Sequence, residues 1–362
     1  MNRWPRLLVW AAASRVLVLA TAVVMHWLRA PRGRFGAAMF AHPFGILESW
    51  DGLWYRVVAE RGYLLVPGRQ SDPAFFPLFP TVLRALHGLG LSYPVSAVVI
   101  SNLAFLVAIV VFYELGRAVL PDEDARRAAL LAAIFPMSFV FSMAYPESLV
   151  FAALSLALLF AIRGRWLACA VAGSIAALGR PEALFYAMPI AAVAVRRWPR
   201  LSTAERGTAL GAAVAPAASF ATFPLYLAWS LHNVYAWSWA ERGWGRSFKL
   251  DGLVRAFTGL GSLAHDPWLV RDAAFAAVYL ALLGVARRAG VGWPWIVAGA
   301  AIVLLPLTSG SFASDARFGL LALPAYWGLA VVARRPQLRV PLVVLSVGLL
   351  VAGTATIPFA YP

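Results

Sequence analysis

The chain has 362 residues, of which 62% are hydrophobic and only 13% charged, with a formal net charge of +15. A soluble domain carries about half apolar and about a quarter charged residues, so the composition excludes an ordinary water-soluble globule. It also argues against nucleic acid as a partner: no soluble basic domain exists to carry the charge, which falls in loops, where basic residues orient a chain in a bilayer.

Apolar runs of roughly twenty residues recur along the sequence, and they predict an all-α, polytopic integral membrane protein of about 11 transmembrane helices. A closed β-barrel needs alternating segments of about ten residues, and none is visible. The predicted spans run, in chain order and approximately, Leu7 to Leu28, Pro94 to Tyr113, Ala128 to Met143, Leu149 to Ile162, Trp166 to Leu178 and Ala183 to Val195. They continue with Leu210 to Leu231, Asp272 to Ala286, Trp293 to Leu307, Gly319 to Ala333 and Val340 to Ile357. The first run lacks a small-residue cleavage site and reads as a retained span. Arg15 inside it is costly in lipid, so it faces the bundle or snorkels. The third is interrupted by Pro136, and the third to sixth are short, a sign that some are tilted little or do not cross fully. No internal repeat and no soluble domain is visible, so residues 1–362 read as a single domain.

Two long polar and aromatic intervals, residues 29–93 and 232–270, separate these spans. The first contains Glu48-Ser49-Trp50-Asp51-Gly52-Leu53-Trp54-Tyr55 and, later, Asp72-Pro73-Ala74-Phe75-Phe76-Pro77-Leu78-Phe79-Pro80. Trp54, Val57, Val58 and Arg61 fall at helical spacing, which predicts a short interfacial helix. The proline-rich stretch excludes a regular helix and reads as re-entrant or interfacial. The second interval holds Trp237, Trp239, Trp244, Phe248 and Trp268 among Glu241, Arg242, Arg246, Lys249, Asp251 and Asp266.

The short loops set the orientation. With the N-terminus cytoplasmic, the inner side receives Arg3 and Arg6, Arg117, Arg126 and Arg127, Arg163 and Arg165, Arg196 to Arg206, Arg287 and Arg288, and Arg334 to Arg339. Most acids and both aromatic intervals then fall outside. Five features share that outer face: Trp50-Asp51, Tyr145-Glu147, Arg180-Glu182, the Trp-rich interval and Asp315-Arg317. Each alone is equally an aromatic belt, a helix cap or a wetted interface residue. Together they suit transfer of a phosphate-linked sugar. A carboxylate in a partly dry cleft can take a proton from an attacking hydroxyl. Arginine grips a phosphate bidentately and neutralises it. Other chemistry lacks support. There is no phosphate-binding GxxxxGK[ST] loop. His26, His42, His87, His232 and His265 are scattered singly, so neither a metal nor a cofactor is expected. The lone Cys169 cannot form an internal disulfide. A transporter or flippase would place ionisable groups at mid-membrane and break helices in repeat-related positions, and here the charges gather at one face. A membrane scaffold does not account for the two long charged and aromatic outer intervals.

WDGLWYRVVAERGY, followed by FFPLFP, resembles the first outer loop of the PIG-V family, the GPI mannosyltransferase 2 enzymes and their bacterial relatives. FPMSFVFSMAYPESLVF and ALGRPEALF are similar to that family's second and third motifs in the same order, and SDARF to its C-terminal signature. The resemblance covers about residues 45–325. It implies a GT-C-like glycosyltransferase of a bacterial plasma membrane, with its active site extracytoplasmic. Such an enzyme takes a sugar, here most naturally mannose, from a polyprenyl-phosphate donor, inverts the anomeric centre and delivers the sugar to a glycolipid or glycan acceptor. The family's outer-loop acid maps onto Asp51 as the base. Arg180 and Arg317 would then hold the lipid phosphate, Glu147 and Glu182 would orient them or the sugar, and Trp50 and Tyr145 would line the substrate site. Metal is not implied.

Overall fold

The computed structural model describes residues 4–28, 42–259 and 266–362. Arg3, residues 29–41 of the first long interval, and residues 260–265 of the second, with His265, lie outside the described residues.

Among the described residues the chain is helical, with no strand. α1 (Trp4–Leu28) is followed by α2 (Asp51–Arg61) and α3 (Leu78–Gly88) in the first long interval. Then come α4 (Tyr93–Arg117), α5 (Asp122–Ile134), α6 (Glu147–Ile162), α7 (Trp166–Gly179), α8 (Ala187–Arg197) and α9 (Thr203–Ser230). The second interval contributes α10 (Ala236–Gly243) and α11 (Gly252–Thr258). α12 (Pro267–Arg288), α13 (Trp293–Leu307), the one-turn α14 (Asp315–Phe318), α15 (Leu323–Val332) and α16 (Pro336–Thr356) complete the chain.

Every predicted apolar span folds largely as helix, but the lengths differ. Five helices, α1, α4, α9, α12 and α16, are long and apolar enough to cross a membrane, whereas α6, α7, α13 and α15 are apolar but shorter. At about 1.5 Å per residue, a helix the length of α6 falls short of a hydrocarbon core of about 30 Å. α5 starts at Asp122, earlier than expected, because Asp122, Glu123 and Asp124 occupy its first turn, where negative charge suits the helix dipole. It stops at Ile134 because Pro136 disfavours helical backbone at Phe135, which is extended. The proline-rich stretch needs one correction. α3 begins at Leu78, with Pro77 as its N-cap and Pro80 in the first turn, where a missing N–H costs no helical bond.

Packing follows from small residues and aromatic rings. α4 packs on α6, α6 on α7, and α7 on α9, while α12 packs on α15 and α15 on α5. α15 meets α12 so closely that a Cβ on Gly328 would lie 2.0 Å from the Leu282 carbonyl oxygen. Where lipid gives no hydrophobic drive between helices, such close approach supplies the van der Waals contact that does. Phe112, Phe135, Phe141, Phe151, Tyr326 and Trp327 interlock at the centre.

Arg15 faces the bundle. Its guanidinium donates to the carbonyls of Ala133 (2.9 Å) and Ser138 (2.6 Å) and to the hydroxyls of Ser138 (3.0 Å) and Ser142 (3.2 Å). Those carbonyls flank the break after α5, where helical partners run out and no water is at hand. The buried arginine thus stabilises the non-helical connection that leads into Tyr145 and Glu147.

Candidate active site

The polar residues that the core cannot avoid gather where four chain segments meet. These are the start of α2, the start of α6, the connection after α7, and α14. Each segment presents its charge at a helix end because the apolar helix bodies leave no other place for it.

Asp51 opens α2 and is 5% exposed. The residue before it, Trp50, has φ 60° and ψ −120°, a conformation that costs a bulky side chain of order 1–3 kcal/mol. The indole opposes that cost by donating to the Ile357 carbonyl (2.8 Å) and packing edge-on against Tyr361. Gly52 allows the turn to close on its neighbour, since a Cβ there would sit 3.1 Å from that of Ala144. As a result the Asp51 backbone N–H reaches the Tyr145 hydroxyl at 3.3 Å.

Both carboxylate oxygens of Asp51 are engaged. Oδ2 accepts from Arg317 Nη1 at 2.6 Å, and Oδ1 accepts from the Tyr361 hydroxyl at 2.7 Å. Arg317 Nη2 also donates to the Tyr361 hydroxyl (3.1 Å), and its Nε lies 3.8 Å from Glu147 Oε1. Its guanidinium carbon rests 5.1 Å from the ring centres of Tyr145, Phe318 and Tyr361. Beside it, Arg180 donates from Nη1 to Glu147 Oε1 (2.8 Å) and forks onto Glu182 from Nη2 (2.9 Å) and Nε (3.2 Å). Burial alone would raise the Glu182 carboxyl, but Arg180 outweighs it and holds the group below its ordinary range. Glu147 Oε2 is buried and has no hydrogen bond among the described residues, which leaves one acceptor of the cluster unused.

The predicted residues Asp51, Glu147, Arg180, Glu182, Arg317, Tyr145 and Trp50 are therefore brought together. Arg317 does not pair with its sequence neighbour Asp315; it pairs with Asp51, 266 residues away. Asp315 is fully buried, neither of its oxygens has a hydrogen bond among the described residues, and burial pushes its carboxyl up to about 8 against the pull of Arg246. The neighbouring Asp272 instead accepts from the Ser314 backbone N–H (2.6 Å). Sequence reasoning missed Tyr361 and Phe318. Tyr361 lies in no motif, and its carbonyl is held by Arg271 at 3.0 Å, a contact that spacing does not reveal. Phe318 follows Arg317 directly and could be read only as an apolar neighbour. Among the described residues no group of three or more His, Cys, Asp or Glu side chains is placed to hold a metal ion.

A chain of apolar helices with acids and arginines interlocked at their ends is a multi-pass membrane protein with an enzyme-like polar centre. The model of the Mannosyltransferase (PIG-V) family matches residues 6–179, a little under half of the chain. The match begins before and ends well short of the 45–325 expected from the motifs, and takes in Trp50, Asp51, Tyr145 and Glu147 but not Arg180, Glu182 or Arg317. Among solved structures, the chain is similar to the archaeal oligosaccharyltransferase AglB from Archaeoglobus fulgidus in complex with an inhibitory peptide and a dolichol-phosphate. The TM-score is 0.49 at 12% identity, covering 96% of this chain and 56% of that one. An Archaeoglobus fulgidus oligosaccharyltransferase complex with Zn and sulfate gives 0.46 at 13%, covering 96% and 53%. The chain thus spans little more than half the length of these proteins. No curated protein matches it in sequence.

The ion pairs set a stability test. Arg180→Ala leaves Glu147 and Glu182 buried without their main cation, and removing one partner of such a group costs about 3–5 kcal/mol. Thermal unfolding in detergent should show a large loss for Arg180→Ala and a smaller one for Arg180→Lys, which keeps the charge but not the fork. Wild-type stability in both variants would mean that these contacts do not hold the site together.

Proposed function

We propose that the protein is an inverting glycosyltransferase that moves a sugar, mannose by preference, from a polyprenyl-phosphate donor to a glycolipid or glycan acceptor. The family match supports glycosyl transfer, and the composition suits a bacterial plasma membrane. The observation that carries the reading is the buried Asp51, fixed at a helix start by two donors and set against arginines suited to a phosphate.

In this reading the acceptor hydroxyl gives its proton to an Asp51 oxygen as its own oxygen bonds to the anomeric carbon from the face opposite the phosphate. The bond from that carbon to the phosphate oxygen breaks, and its electron pair leaves with the lipid monophosphate. Each Asp51 oxygen accepts one strong hydrogen bond and keeps lone-pair capacity for the acceptor. Arg317 touches Asp51 and faces the same centre as Arg180, so charge building on the departing phosphate draws on a guanidinium that otherwise steadies the carboxylate. A guanidinium that turns toward the phosphate leaves Asp51 a better proton acceptor at the moment it receives one. Glu147 and Glu182 hold Arg180 in its fork, and Tyr145 and Trp50 fix the backbone that aims Asp51.

Asp51→Asn keeps the shape and one acceptor oxygen but cannot take the proton. Turnover should fall by roughly 10² to 10⁴ while the fold survives. Near wild-type turnover in that variant would remove Asp51 from the chemistry.

The site is proposed to face the extracytoplasmic side. Ser71, in the first outer interval, is buried, so the accessible probes are Gln70 in that interval and Ala204 in the first turn of α9, just after the basic loop, both exposed. The native Cys169 is buried. In intact cells Gln70→Cys should react with an impermeant thiol reagent and Ala204→Cys should not, and the opposite pattern would invert the orientation.

A further inference from the structure

Three guanidinium groups surround the Phe318 ring: Arg180 at 4.7 Å, Arg246 at 4.9 Å and Arg317 at 5.1 Å from its centre. Two of them are already committed. Arg180 is held by Glu147 and Glu182, and Arg317 by Asp51. The three carboxylates Asp51, Glu147 and Glu182 outnumber those two arginines, so the paired set alone offers an arriving phosphate no net positive charge.

Arg246 is different. All 16 acidic residues lie among the described residues, and none forms an ion pair with it. Its Nη2 donates to the Ala313 carbonyl (2.8 Å), while Nη1 is buried with no hydrogen-bond partner among the described residues. A buried, unused N–H on a guanidinium is costly unless something accepts from it. Its position is fixed by the chain. The Arg246 N–H bonds to the Glu241 carbonyl (2.8 Å) and the Gly245 N–H to the Arg242 carbonyl (2.9 Å), with Gly245 at φ 75°. This is the left-handed glycine closure of a helix C-terminus, and it delivers the next side chain inward from α10. The acids that influence it, Glu241 and Asp315, are raised by burial to about 7 and about 8, so neither is a strong counter-charge near neutrality.

We propose that Arg246 is the docking cation of the site, gripping the phosphate of the lipid-linked ligand beside Phe318, while Arg180 and Arg317 chiefly hold carboxylates. This rests on the reading of the centre as a lipid-phosphate site, and it assigns the second long interval a binding role that no motif marks. Planar, bidentate recognition of phosphate oxygens is the use to which a half-occupied guanidinium is best suited.

The test is equilibrium binding of a short-chain polyprenyl phosphate carrying no sugar to the purified full chain in detergent, with inorganic phosphate as a second probe. Arg246→Ala should weaken binding of the lipid phosphate by roughly ten- to a hundredfold, the loss of one charged hydrogen bond. Arg246→Lys should lose less, and the unliganded melting temperature of Arg246→Lys should stay at the wild-type value because no protein ion pair is broken. Wild-type affinity in both variants overturns the proposal and leaves the donor reading intact. If the wild type binds inorganic phosphate through Arg246 but no polyprenyl phosphate, the anion site stands and the lipid-donor reading falls. Binding of neither probe removes both.

Discussion

A charge taken out of water must find a partner, and in a chain this apolar the requirement decides where distant segments meet. Removing a carboxylate or guanidinium from water costs several kcal/mol after relaxation, which only close, well-formed hydrogen bonds offset. Asp51 and Arg317 are 266 residues apart, and Arg180 and Glu147 are 33 apart, yet their side chains lie at 2.6 and 2.8 Å. These contacts bring the first long interval, the start of α6, the end of α7 and α14 to one point. Each of these bonds shares a side chain with the next, so the cluster holds together as one network.

The helix breaks matter as much as the helices. Pro136 stops α5, Arg15 caps the carbonyls left at the break, and the chain that follows carries Tyr145 into contact with the Asp51 backbone. Arg180 follows α7 directly in extended backbone, Pro181 comes next, and the Arg180 fork is directed at Glu182. Two residues with positive φ, Trp50 (60°) and Ser314 (68°), precede Asp51 and Asp315, the first residues of α2 and α14. Such strain persists where surrounding bonds over-determine it, and here the Trp50 indole and the Ser314 N–H each make a firm hydrogen bond.

Much of this centre is legible in the sequence because charges are scarce. With so few ionisable side chains amid long apolar runs, those near span ends stand out, and Asp51, Glu147, Arg180, Glu182 and Arg317 all belong to it. Their pairing is not legible. Arg317 stands two residues from Asp315, and proximity in sequence suggests the wrong partner; burial and the fold select Asp51. Tyr361 carries no motif and is recruited by Arg271 and Trp50, contacts made across the fold. Arg246 looks like one charge among many in a Trp-rich stretch until its unpaired Nη1 is seen beside Phe318. Helix existence is equally readable from apolar runs, whereas helix ends move with acidic first turns and prolines, as at Asp122 and Leu78.

The central claim is that this buried centre transfers a sugar from a lipid monophosphate. Its most direct test is incubation of the purified protein with a panel of polyprenyl-phosphate sugars and candidate glycolipid or glycan acceptors, measuring release of polyprenyl phosphate. Acceptor-dependent release from one donor, strongest with the mannosyl lipid and accompanied by inversion at the anomeric carbon of the product, is the predicted result. No release from any polyprenyl-phosphate sugar, with a nucleotide sugar consumed in its place, would contradict it.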